Sequence, residues 1–332
     1  MSGGMECEIA RAGASAVTRR ESGGTLRATL RTADGVPIEA AYTPCGAGAA
    51  PYATVLAHGF TGALERPALR RAAAVLARHS AVVTFSFRGH GGSGGRSTVG
   101  DREVLDLAAA VRWARSLGHS YVVTVGFSMG GSVVLRHGAL YRPDRTDGGA
   151  DDNTACADLY TKHGGRAGAH DGALVHMPDM EPPQPPAHAD AVVSVSAPAR
   201  WYYRGTAPMR RLHWVIQRPV GRLVSRYGLR TRVYPRDWDP VPLSPVAAAP
   251  LVSPAPLLVV HGDRDPYFPL DHPRSLAAAA DPEHSELWIE PGFGHAENAA
   301  DPALLHRIGS WAGARCREPG PARHHGSRNA DG

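Results

Sequence analysis

Residues 121–131 read YVVTVGFSMGG, and this stretch decides the fold. Its first seven residues carry no charge and are rich in valine, as a strand buried on both faces requires. A helical pattern begins at Met129, directly after the strand. Between the two stands Gly126-Phe127-Ser128-Met129-Gly130, a Gly-x-Ser-x-Gly turn. A serine in such a strand–turn–helix is forced into a strained conformation, with its hydroxyl standing proud of the sheet. Glycines at 126 and 130 relieve crowding where backbone passes close to backbone. The spacing alone also admits an idle serine in a tight turn. Its setting between strand and helix marks Ser128 as a candidate nucleophile.

Outward from this turn, apolar β-branched runs alternate with helical patterns. The runs predict strands over 53–59, 81–87, 121–127, 191–197, 256–262 and 286–292. Helices are expected over 64–79, 101–117, 270–280 and 302–314, besides the one from Met129. Residues 26–43 suggest a hairpin with Asp34-Gly35 at its turn. Continuous apolar strands separated by helices predict an α/β fold, its mostly parallel sheet covered on both faces. This domain is expected to span 26–315. The polar tails 1–25 and 316–332 are expected to be disordered.

Two segments interrupt the alternation. Residues 143–190 have almost no apolar periodicity and contain EPPQPP, which predicts a disordered surface insertion. Residues 198–250 differ in kind. They hold Trp201, Tyr202, Tyr203, Trp214, Tyr227, Tyr234 and Trp238, enough to fold and bury surface. Their arginines include Arg200, Arg204, Arg210, Arg211, Arg222, Arg226 and Arg232, against only Asp237 and Asp239. This segment predicts a helical cap over the sheet's C-terminal edge, where open α/β sheets place their ligands. Two readings of its charge stay open. It attracts anionic substrates or a lipid surface, with aromatics gripping an acyl or aryl group, or it is a solvated cationic face on ordinary helices.

A serine hydroxyl is a poor nucleophile until a base takes its proton. With the serine at such a turn, the acid and then the histidine follow in chain order. His295 lies in PGFGH (291–295), after the last predicted strand, where a loop would drop its imidazole onto the turn. HGDRDPYFP (261–269) offers Asp263 and Asp265 at the end of the preceding strand. Asp265, immediately before Pro266 and further out, is the expected acid. Asp263 is expected to brace the turn or pair with Arg264. An oxyanion needs two backbone N–H groups. Met129 supplies one, and Phe60 in HGFTG (58–62) the other. His58 is expected to bond loop backbone. RGHGGSGG (88–95) lacks the lysine of a phosphate-binding P-loop and reads as a tight loop, with Arg88 making structural bonds.

The chain of 332 residues is 43% apolar and 20% charged, with a net charge of +5. That excess is modest, and no stretch matches a nucleic-acid motif, so no nucleic-acid partner is expected. No apolar run approaches a membrane span, so no stable membrane anchor is expected. Residues 1–25 lack the apolar core of a signal peptide. Cys7, Cys45, Cys156 and Cys316 show no metal-ligand spacing. They are expected to be reduced thiols in a cytoplasmic protein.

Four motifs in order, HGFTG, RGHGGSGG, GFSMGG and the HGDRDPYFP…GFGH pair, resemble the α/β-hydrolase superfamily over roughly residues 26–315. Within it the chain is similar to the serine esterase, lysophospholipase and monoacylglycerol lipase group, and HGFTG is similar to that of cinnamoyl esterases. The resemblance implies an α/β-hydrolase fold. It also implies cleavage of a small-molecule carboxylic ester by Ser128, His295 and Asp265, without metal or organic cofactor. A small acyl ester, a lysophospholipid or a monoacylglycerol-like ester fits it. Thioesterase, acyltransferase or perhydrolase chemistry on the same triad stays open, as does a catalytically silent binding protein. Serine at 128 argues against epoxide hydrolases and haloalkane dehalogenases, whose nucleophile is an aspartate. The chain departs from the pattern in the insertion 143–190 and in Ser86, where many relatives have an aspartate.

Overall fold

The apolar runs pair side by side at the centre of a nine-stranded sheet in a computed structural model of the chain. The structure describes residues 17–20, 24–46, 48, 52–143 and 185–317. Its strands are β1 (Val17–Arg20), β2 (Leu26–Arg31), β3 (Pro37–Thr43), β4 (Tyr52–Ala57), β5 (Ala81–Phe85), β6 (Tyr121–Phe127), β7 (Ala191–Val195), β8 (Leu257–Gly262) and β9 (Ser285–Glu290). Helices α1 (Pro67–Leu76), α2 (Glu103–Ser116) and α3 (Met129–Leu140) lie between the strands up to β7. Helices α4 (Ala207–Gln217), α5 (Pro219–Tyr227) and α6 (Pro245–Ala248) precede β8. After it come α7 (Asp271–Ala279), α8 (Ala296–Ala299) and α9 (Pro302–Arg317).

Side-chain alternation explains why the sheet is covered twice. In β4, Ala53, Val55 and Ala57 join one apolar cluster, while Tyr52 and Leu56 join another. Val83 and Phe85 of β5 face the first, and Val82 faces the second. Buried residues of α2, α3, α6 and α7 complete the first cluster; those of α1 and α9 complete the second. Strands β4 to β8 are buried almost throughout, whereas edge strand β9 is half-buried.

The strand order is β1-β2-β3-β5-β4-β6-β7-β8-β9. From β5 to β9 all neighbours run parallel, and β1, β2 and β3 pair antiparallel. The chain winds from β4 outward to β5, then crosses back over β4 to β6. In open α/β sheets such a reversal marks the place where ligands bind, here the C-terminal ends of β4 and β6.

Several expectations need correction. Residues 17–20, assigned to a disordered tail, form β1, with Val17 opposite Thr29 and Arg20 opposite Leu26. The C-terminal helix runs through Arg317 rather than ending before residue 316. At the end of the expected insertion, Ala187 and Ala189 are buried. There Asp190 accepts from Val122 N–H at 2.7 Å and from Arg115 at 2.8 Å, clamping the start of β7 beside β6. The rest of that expected insertion, 144–184, lies outside the described residues, as do 1–16 and 318–332.

Segment 198–250 contributes α4 and α5, joined by Arg218, and a return stretch that pairs with the loop after β5. Ser97 N–H donates to Arg232 O at 2.7 Å, and Tyr234 N–H to Ser97 O at 2.8 Å. The expectation that its aromatics bury themselves holds only in part. Trp201, Tyr203 and Trp238 are half-buried, whereas Trp214 and Tyr227 are 50% and 73% exposed. Among the described residues, no helix is long and apolar enough to cross a membrane.

Candidate active site

Ser128 stands between β6 and α3 with φ 52° and ψ −112°, a conformation that non-glycine residues rarely adopt. Tight packing on both sides holds it there. A Cβ at Gly126 would lie 2.1 Å from Gly130 O, and one at Gly130 would lie 2.4 Å from Ala57 O. Ser128 N–H also donates to Val195 O at 2.8 Å, tying the strained residue to β7.

The loops after β8 and β9 bring Asp265 and His295 to this serine. His295 Nε2 lies 2.9 Å from Ser128 Oγ, and its Nδ1 lies 2.7 Å from Asp265 Oδ2. With the ring proton on Nδ1, the imidazole donates to the carboxylate and accepts the serine O–H. The Asp265 side chain is fully buried, and its other oxygen accepts from Tyr267 and Phe268 N–H at 2.8 and 3.1 Å. The chain turning after Pro266 thus fixes the carboxylate. Tyr267 lies against the His295 ring, centroids 4.3 Å apart at 32°, and limits its rotation. Asp263 instead accepts from Gly292 N–H at 2.6 Å and braces the neighbouring loop.

Met129 N–H is the first of α3, where no intrahelical acceptor exists. The loop after β4 comes close to the serine because Ala57 pairs with Gly126 in register. A Cβ on Gly59, the residue before Phe60, would lie 3.3 Å from Ser128 Cβ. His58 sets the loop's shape. Its Nδ1 lies 2.7 Å from Gly59 O, and its Nε2 accepts from Phe87 N–H at 3.0 Å. Complete burial and the neighbouring His90 pull its pKa down to about 3, so the ring is neutral.

Glu297 was not legible as a site residue. Its Oε1 accepts from Gly59 N–H at 3.1 Å, so a buried carboxyl holds the same loop from beneath. Burial raises its pKa above the ordinary carboxylate value. The only signal in the sequence was an acidic residue two places after the candidate base.

Arg88, in the loop after β5, makes the structural bonds expected of it. Arg88 donates to Asp106 at 2.8 Å and to Asp34 at 2.7 Å, pinning the loop to α2 and to the first hairpin. Ser86 donates to Glu39 Oε1 at 2.6 Å, and the same oxygen accepts from Gly92 N–H at 2.8 Å. A carboxylate from β3 therefore does the bracing.

Aromatic residues of segment 198–250 approach this centre from one side. Gly100 lies near both Trp201 and Met129: a Cβ there would lie 3.4 Å from the indole and 3.9 Å from Met129 Cγ, in ordinary contact with each. Trp201 packs against Trp238 at 5.1 Å, and Trp238 Nε1 donates to Thr98 O at 2.7 Å.

The family model for the alpha/beta hydrolase family matches residues 54–307, more than half of the 332-residue chain. No curated protein matches it in sequence. Among solved structures, the chain is similar to the esterase Pf2001 of Pyrococcus furiosus, at 18% identity over 92% of each chain with a TM-score of 0.56. It is also similar to the α/β hydrolase GrgF of Penicillium sp. sh18, at 14% identity over 88% of this chain and 99% of that one, TM-score 0.56. The esterase domain of a Rhodothermus marinus protein is similar at 16% identity, over 87% of this chain and 96% of that one, TM-score 0.53. At these identities the likeness is one of fold.

Proposed function

We propose, from the premise that this chain belongs to the α/β-hydrolase family, that it cleaves carboxylic esters through a serine acyl-enzyme. The observation that carries this reading is the pair of contacts from His295, 2.9 Å to Ser128 Oγ and 2.7 Å to Asp265 Oδ2, on a strained turn.

Ser128 Oγ attacks the ester carbonyl while His295 Nε2 takes its proton. The Asp265 carboxylate stabilises the imidazolium that forms. Negative charge develops on the carbonyl oxygen, to which Phe60 and Met129 N–H groups donate. Collapse of this intermediate expels the alcohol, protonated by His295, and leaves an acyl-serine. Water then attacks the acyl carbon, giving its proton to His295, and the second collapse returns the serine and releases the acid. No step calls on a metal or organic cofactor. Segment 198–250 acts as a cap, and the Trp201 indole beside Met129 lines the acyl or aryl side of the pocket. That two structural neighbours are esterases supports the choice of bond.

The test is labelling by a fluorophosphonate probe, with turnover of nitrophenyl esters of increasing chain length. Wild type is expected to label and turn over. Ser128→Ala is expected to lose both, with turnover falling about five to six orders of magnitude. Equal labelling of the two proteins overturns the assignment.

A further inference from the structure

A cavity of about 520 Å³ lies between α5 and the loop after β5, and it shares no residue with the proposed catalytic centre. Its lining holds four arginines and no acidic residue: Arg96, Arg222, Arg226 and Arg232, with Leu223 and Val233 among the apolar walls. Four guanidinium groups around one cavity repel one another even where water screens them, and natural surfaces ordinarily intersperse carboxylates among them. Here none is supplied. Among the described residues, no ion pair with Asp or Glu involves any of the four, although Arg27, Arg88, Arg115, Arg136, Arg200, Arg307 and Arg315 all have such partners.

Three of the four guanidinium groups have contacts that hold them. Arg232 is half-buried, its N–H donates to Gly89 O at 2.7 Å and its carbonyl accepts from Ser97. Its guanidinium donates to Ser93 O. Arg222 donates to Gln217 O at 3.1 Å, and the Arg226 guanidinium lies over the Tyr227 ring at 5.4 Å. Each guanidinium has five donors, so these contacts orient the heads and leave most N–H groups unused. A fork of donors of this kind matches the oxygens of a phosphate, which carries close to two negative charges at neutral pH.

We propose that this cavity binds the phosphate group of an amphiphile, with the arginines on the oxygens and Leu223 and Val233 against its hydrocarbon part. Such a ligand reaches the site either as a soluble alkyl phosphate or as a phosphate headgroup in a lipid surface. The second source is open because Val220, Leu223, Val224 and Tyr227 form an exposed apolar stripe along α5 beside the cavity.

Binding of hexyl phosphate by calorimetry, and of vesicles with and without phosphatidic acid by co-sedimentation, tests this. The proteins are wild type, Arg222→Gln/Arg226→Gln, and Arg210→Gln/Arg211→Gln as a control of equal charge on α4. Wild type is expected to bind, more weakly at high salt, and the first variant to bind roughly a hundredfold more weakly, about tenfold per arginine. The control is expected to stay within about threefold of wild type. Capture of free hexyl phosphate assigns the soluble source; capture of phosphatidic acid vesicles alone assigns the lipid surface. No binding of either probe by wild type, or equal loss in both variants, overturns the proposal. Nitrophenyl ester turnover in the same samples reads the proposed hydrolysis separately, so failure of one does not imitate failure of the other.

Discussion

Around Ser128 backbone packs directly on backbone, while between Tyr202 and Val241 large apolar side chains stand in water. Every residue of α3 is buried, and the glycines before and after the serine have no space for a methyl group. By contrast, all eight exposed large apolar residues among those described, from Tyr202 to Val241, fall in the segment after β7. One region is over-determined, so a strained serine and its partners have nowhere to relax. The other is under-satisfied in both charge and apolar contact, which leaves it free to complete itself with a ligand.

Substitutions can break this contrast where it is strongest. Asp265→Asn keeps the shape of a buried side chain but donates where it should accept, so kcat is expected to fall by about four orders of magnitude. Thermal unfolding should show the fold retained; near-normal turnover would remove Asp265 from the proposed triad. Gly126→Ala drives a Cβ into Gly130 O, and a loss on the order of 3–5 kcal/mol is expected in urea unfolding. A loss below about 1 kcal/mol would mean that the turn is not over-determined.

Acid sharpens the same contrast. His58 and His137 are held neutral by burial, each with its pKa near 3. The unfolded chain protonates both below the ordinary histidine value of about 6.5. Below that pH the unfolded state binds more protons, so stability is lost as pH falls from 6.5 toward 3. At pH 5 the loss is about 2 kcal/mol per ring. Urea midpoints at pH 7.5, 6 and 5 should fall in that order, by less than the two rings alone would give, since burial raises the Asp106 pKa and this carboxyl gains stability as pH falls; a midpoint that rises on acidification contradicts the burial of neutral rings. The smallest effect belongs to the other region. Val220→Ser/Leu223→Ser is expected to change stability by no more than about 0.5 kcal/mol per site, since both side chains already face water.

What could be read from the sequence follows the same division. Ser128, Asp265 and His295 each end a strand in a loop marked by glycine or proline, so local chemistry and topology point the same way. Asp265 and Asp263 separate once Pro266 is seen to turn the chain so that Tyr267 and Phe268 donate to Asp265. Strand β1 was hidden because VTRR has no apolar period, and only its pairing with β2 makes it a strand. Glu297 and Glu39 belong to no motif that the sequence displays. Their partners, Gly59, Ser86 and Gly92, lie far away in the chain and close only in the folded sheet. Exposure in α4 and α5 was equally illegible, since an aromatic-rich amphipathic segment reads the same whether its apolar face meets protein or water.

The clamp at Asp190 carries a practical consequence. Helix α3 runs back from the serine, so Pro143 and Pro185 flank residues 144–184 at the sheet end opposite the proposed catalytic crevice. Arg115, Val122 and Asp190 fasten the re-entering chain there. A linker grafted between those two prolines would anchor the protein to a bead or an electrode by its blunt end. The crevice of every immobilised molecule would then face outward into the flowing solution.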